Sequence, residues 1–166
     1  AFDATGVPHV AYPWGGTLRH SWKPAGAPAW STETIDDALG TGGYPGTSLR
    51  IDAQGRVAVS YHRGTQLVFA RRESAGWTLG VIPGVAYVGT SLAFDAAGHA
   101  WIASTAGSGV QLAHEQGGAW STEIVDTGGG GEVTLRFDAS GATHLSWYGG
   151  TDGSLHYARR ATGGAW

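Results

Sequence analysis

Four aspartates, Asp3, Asp52, Asp95 and Asp138, each stand three residues before a glycine: Gly6, Gly55, Gly98 and Gly141. A carboxylate so placed could transfer protons, or it could accept the backbone N–H groups of a tight turn. One catalytic group in every repeat would be redundant, so the turn role is the reading taken. Seven histidines raise metal or acid–base chemistry. His9 and His144 follow their turn glycines by three residues, where the other repeats carry Ala58 and Trp101. A position that takes imidazole, methyl and indole alike is a packing slot rather than a ligand. Neither His-x-x-x-His nor His-Glu-x-x-His occurs, so no metal site and no cofactor are expected. Arg50 and Arg136, in Ser-Leu-Arg and Thr-Leu-Arg, could hold a carboxylate with their forked guanidinium groups. The simpler expectation is a solvated channel lining. No nucleophile elbow, phosphate-cradling loop or calcium loop accompanies them.

Eight tryptophans and six tyrosines are the other resource. Trp30, Trp77, Trp120 and Trp166 recur in register and are assigned to the core. Trp14, Tyr44, Tyr87 and Tyr148 fall outside the shared frame, next to glycines. Exposed rings in such loops suit stacking against a sugar or a protein partner. His62, Arg63 and Asp152 lie in or beside the same loops and could supply hydrogen bonds. These seven residues form the expected ligand-binding set.

The frame that must position them is a repeat. Successive Asp-x-x-Gly aspartates are 49, 43 and 43 residues apart, and each repeat ends in a tryptophan 27, 25, 25 or 28 residues after its aspartate. The third copy, Ser91 to Asp126, holds four short apolar runs with a turn signal between each. A period in the forties made of four strands predicts a β-propeller blade. The fold expected is all-β, with no 3.6-residue apolar stripe. Four-stranded antiparallel blades span about 1–47, 48–90, 91–133 and 134–166. The first copy lacks its Ser-Leu opening and the last stops before its fourth strand. That predicts a half-ring, completed by self-association or by the rest of a larger propeller.

The text from Leu135 to Trp147, Leu-x-Phe-Asp-x-x-Gly-x-x-His-Leu-x-Trp, resembles the Asp-x-x-Gly propeller repeats of bacteria, including the NHL type. It is also similar, at a distance, to the sialidase Asp-box, although that motif places its glycine two residues after the aspartate. The resemblance implies architecture only, because such folds serve as lectins, lactonases, lyases, sialidases and docking platforms.

In an up-and-down blade the Asp-x-x-Gly turns share one rim with the third-to-fourth strand turns. The opposite rim carries the second-to-third hairpins and the links between blades, which vary in length. Variable loops on a repeated scaffold are where function concentrates. Composition narrows the partners. A net charge of −3 with no basic run argues against nucleic acid. No apolar stretch reaches the ~20 residues of a membrane-spanning helix. Cysteine is absent, which removes disulfides and thiolate chemistry, and the absence of methionine makes the chain read as excised or processed. The expected function is a non-enzymatic, lectin-like, extracellular module for a glycan or protein ligand. A docking scaffold is one alternative, and a propeller hydrolase or lyase using Arg50, Arg136 and His144 is another.

Overall fold

A computed structural model describes residues 1–40, 46–84, 89–106, 109–150 and 152–166. Among them are 14 β-strands and no helix. The strands form four antiparallel sheets, each in chain order. Sheet 1 holds β1 (His9–Trp14), β2 (Thr17–Trp22) and β3 (Ser31–Asp36); sheet 2 holds β4 (Thr47–Ile51), β5 (Val57–Arg63), β6 (Gln66–Glu73) and β7 (Gly76–Ile82). Sheet 3 holds β8 (Thr90–Phe94), β9 (Ala100–Ala106), β10 (Gly109–Gln116) and β11 (Ala119–Asp126). Sheet 4 holds β12 (Gly130–Phe137), β13 (Thr143–Gly149) and β14 (Leu155–Arg160). The outer two sheets thus have three strands and the middle two have four.

Each Asp-x-x-Gly turn is built the same way. Oδ1 of Asp3 accepts the N–H groups of Thr5 and Val7, and the N–H of Gly6 returns to the Asp3 carbonyl. Asp52, Asp95 and Asp138 repeat the pattern on residues two and four further on. The fourth residue takes φ of +79 to +83° at Gly55, Gly6, Gly98 and Gly141, a conformation that a side chain disfavours. The second oxygen is held by a side chain: Arg56 Nε at 2.8 Å, Trp101 Nε1 at 2.9 Å and His144 Nε2 at 3.0 Å. These are turn residues, as their repetition suggested.

Such bonds favour the ionised carboxylate. Asp3 is lowered to about 2, first by the Val7 N–H and then by the Thr5 hydroxyl. Asp138 is lowered further, chiefly by the Ser140 hydroxyl and His144, and Asp152 by Ser154 and His156. A carboxyl whose folded pKa is depressed contributes stability that is complete above its unfolded pKa, near 3.8, and is lost as pH falls through the folded value. Thermal midpoints are therefore expected to hold steady above about pH 5 and to fall below pH 4. Asp138→Asn should flatten that acid limb, and an unchanged limb would contradict the assignment.

The sheets stack face to face in chain order. Ser48 Oγ on β4 accepts the N–H of Leu92 on β8, and Ser91 Oγ on β8 accepts the N–H of Leu135 on β12, each at 3.0 Å. First strands of successive sheets are thus pegged side by side. β5 is buried at six consecutive positions, Val57 to His62, because sheets cover both of its faces. β14, in an outer sheet, alternates exposed and half-buried residues.

Three apolar clusters fill the joints. Leu18, Ile35, Val59 and Tyr61 lie between sheets 1 and 2, and Leu67, Phe69, Leu92 and Ile102 between sheets 2 and 3. Leu112, Leu135, Leu145 and Trp147 lie between sheets 3 and 4. Polar latches accompany the first and last joints. Tyr61 donates its hydroxyl to Asp36 Oδ2 at 2.6 Å, and Trp147 donates Nε1 to Asp126 Oδ2 at 3.1 Å. Arg72 pairs with Glu33, and Arg160 with Glu123. The middle joint lacks these matches. The equivalent strand of sheet 2 runs into Pro83 and Gly84, and the buried Ser104 Oγ opposite has no partner among the described residues. There, Arg71 pairs with Glu115 at 3.1 Å instead.

Candidate functional site

A cleft of about 440 Å³ opens between sheets 3 and 4, on the rim of the Asp-x-x-Gly turns. Its walls include Asp95, Trp101, Phe137, Thr143 and Arg160, with Gly141, Gly163 and Gly164 offering bare backbone. The volume lies within the range of small-ligand pockets, roughly 300–1,000 Å³. Most of the lining is apolar, with a few polar groups in fixed positions.

Those positions follow from the turns. Trp101 is the second residue of β9, which the Asp95 turn leads into, and its indole N–H is fixed on Asp95 Oδ2. One indole face stacks on His114 of β10, with centroids 3.8 Å apart and planes 16° from parallel. Phe137 meets Trp101 edge-on at 5.8 Å. Arg160 ends β14 and reaches across the joint to Glu123, with Nη2 on Oε1 at 2.6 Å and Nη1 on Oε2 at 2.8 Å. Its guanidinium also lies 4.3 Å from the Trp166 ring centroid. A doubly bonded, stacked guanidinium is held rigid while its remaining N–H groups stay available as donors.

Burial raises the pKa of Asp95, but hydrogen bonds from Trp101 and His99 outweigh it, and the net shift is downward. This carboxylate is an acceptor rather than a proton donor.

Of the seven residues expected from sequence, the five that the structure describes lie elsewhere, and none of those five lines this cleft. Trp14 ends β1 and is 63% exposed, while Tyr148 on β13 is 53% exposed. They belong to opposite ends of the stack. Asp152 shares a hairpin with Tyr148, but its carboxylate is engaged by Ser154 and His156. Arg63 Nη1 reaches Asp36 Oδ2 at 3.2 Å and so reinforces the first joint. His62 is 4% exposed, with neither ring nitrogen hydrogen-bonded among the described residues, and burial lowers its pKa. Tyr44 and Tyr87 lie outside the described residues.

Arg50 and Arg136 each donate to the carbonyl of the preceding residue, Leu49 and Leu135. Burial and then the charge of Arg136 lower the Arg50 pKa, so the two cations share one region. Neither forms an ion pair among the described residues. His144 is tied to Asp138 and to the Tyr157 hydroxyl.

Sequence reasoning assigned function to the variable rim and missed the cleft. Trp101 occupies a slot filled by His9, Ala58 and His144 in the other repeats, and that variation was read as permissiveness. It is also the mark of a position free to specialise.

No protein-family model and no curated protein matches the chain, so the NHL and Asp-box resemblance has no support from sequence comparison. Solved structures do match. A fucose lectin from Kordia zhangzhouensis, determined in complex with methyl-fucoside, aligns over 73% of this chain and 95% of its own, with 17% identity and a TM-score of 0.52. The NanB sialidase of Streptococcus pneumoniae aligns over 95% of this chain but only 28% of its own, at 11% identity and a TM-score of 0.69. The intramolecular trans-sialidase of Ruminococcus gnavus aligns over 96% and 42%, at 13% identity and a TM-score of 0.58. These neighbours have folds of the β-propeller type, and the likeness is one of fold. This chain spans less than half the length of either sialidase.

Proposed function

We propose that the chain is a carbohydrate-binding module in which the four sheets are successive blades of a β-propeller, bounded at about 47, 90 and 133. The observation that carries this reading is the cleft where Trp101 and Phe137 face a clamped Arg160. An aromatic ring suits the C–H face of a pyranose, and a fixed guanidinium suits neighbouring hydroxyls. The lowered pKa of Asp95 keeps its carboxylate ionised and able to accept hydrogen bonds from sugar hydroxyls. The lectin with bound methyl-fucoside supports the same ligand class, and the proposed place of action is outside the cell.

Trp14 and Tyr148 provide a second, more open contact surface on the variable rim. Single sites of this kind are weak, with a millimolar site releasing only about 4 kcal/mol. Repetition along a multivalent glycan converts weak sites into useful avidity.

Methyl-fucoside and a panel of other monosaccharides, titrated against intrinsic tryptophan fluorescence, test the reading directly. Trp101→Ala is expected to weaken binding by about tenfold or more, given that a ring contact contributes about 1 kcal/mol beyond its buried area. Trp14→Ala should leave that signal intact while reducing capture on a clustered glycan array. Silence of the intact protein in both formats would reject carbohydrate binding. Equal loss in Trp14→Ala and none in Trp101→Ala would move the site to the variable rim.

A further inference from the structure

Asp95, His99 and His114 converge at the margin of the cleft. One potential ligand atom from each lies within 4.8 Å of the other two. We propose that these three side chains form a binding site for a divalent transition metal of the zinc type, independent of sugar binding.

Four observations support it. A point between the three atoms lies no farther than about 2.8 Å from each. Zinc takes nitrogen and carboxylate oxygen at about 2.0–2.2 Å, so side-chain shifts under an ångström complete the contacts. His114 Nε2 is buried and has no hydrogen-bond partner among the described residues, a cost that an incoming cation removes. The two imidazoles meet edge-to-face, with centroids 5.9 Å apart and planes at 77°, which lets nitrogens from different directions approach one point. The carboxylate is already oriented: Oδ1 is held by the turn and Oδ2 by the Trp101 indole at 2.9 Å. Outer hydrogen bonds of this kind fix metal ligands in place.

The donor set of two imidazoles and one carboxylate selects zinc, nickel, copper or cobalt over calcium and magnesium. Three protein ligands leave positions open for water or a ligand oxygen. The spacing 95, 99, 114 matches no linear motif, because the ligands come from a turn, the approach to β9 and the neighbouring β10. Antiparallel pairing of β9 with β10, which sets Trp101 opposite His114, brings them together.

The test uses metal alone. Zn²⁺ titrated calorimetrically into the intact, metal-stripped protein is expected to bind saturably at one equivalent. Cu²⁺ should quench part of the tryptophan fluorescence, since Trp101 stacks directly on His114. His99→Ala and His114→Ala should each weaken binding at least tenfold, in line with the loss of even an outer-shell partner. His99 has a side chain 41% exposed, so its variant is expected to keep the wild-type circular dichroism. Trp101→Phe should weaken binding by about tenfold as a positioning effect, without changing the stoichiometry. His156→Ala, which alters a histidine–aspartate pair in sheet 4, should change nothing. Absence of saturable binding would overturn the proposal, as would undiminished binding in His99→Ala or loss in His156→Ala. Because no sugar is present, failure here leaves the carbohydrate reading untouched.

Discussion

Asp36→Ala is expected to lower the thermal midpoint by roughly 10 °C, the larger of the two latch effects. Asp36 is 6% exposed and accepts three bonds: from the Tyr61 hydroxyl at 2.6 Å, from Arg63 at 3.2 Å and from the Ala38 N–H at 2.9 Å. Tyr61 is fully buried, so truncating its acceptor strands a hydroxyl in the joint. Burial, followed by the bond to Asp36, pushes the Tyr61 pKa far above its usual value, so the phenol stays protonated and needs an acceptor. A buried hydroxyl left without its acceptor costs about 1–3 kcal/mol, more where the lost partner is charged, so about 3 kcal/mol is expected here. Each kcal/mol shifts the midpoint of a domain this size by about 2–4 °C. Asp126→Ala, whose carboxylate is only half-buried and serves Trp147 at 3.1 Å, should cost less than half as much. Differential scanning calorimetry of both variants decides the point. Equal and small effects would show the latches to be ornamental.

Leu92→Ala should be comparably damaging for a different reason. Leu92 is fully buried and packs with Leu67, Ile82 and Ile102 in the middle joint. A leucine-to-alanine change in such a core costs about 2–5 kcal/mol, the spread reflecting how far the cavity relaxes. Here the strand is pegged through its own N–H to Ser48, which limits relaxation. The expected cost is in the upper half of that range, with one cooperative unfolding transition retained. Two separate transitions would mean that the four sheets do not melt as a unit.

Much of the architecture was legible because the turn chemistry is local. An aspartate that accepts N–H groups two and four residues on, followed by a glycine at positive φ, leaves the same trace in every copy. The missing last strand of sheet 4 was legible too, since strands are short and the apolar runs can be counted. The binding set was harder. Exposure of Trp14 and Tyr148 fits the expectation of free aromatic faces, whereas burial of His62 depends on sheets packing over both sides of β5, which no single repeat reveals. The cleft was invisible for the same reason. Arg160 and Glu123 are 37 residues apart, and Arg160 reaches Glu123 and the Trp101 wall of the cleft only across a joint between sheets.

The joints alternate. Asp36 and Asp126, like Glu33 and Glu123, stand 90 residues apart, two sheet units along the chain. The interchangeable part of this chain is therefore a couple of sheets, not a single one. Deleting sheet 2 alone would leave Asp36 facing Ser104, and deleting sheet 3 alone would set Pro83 against the Trp147 indole. Excising sheets 2 and 3 together returns Asp36 to a donor, Trp147, and Glu33 to an arginine, Arg160. Recombination, whether by evolution or by an engineer shortening or lengthening the stack, is expected to succeed in even steps and to fail in odd ones.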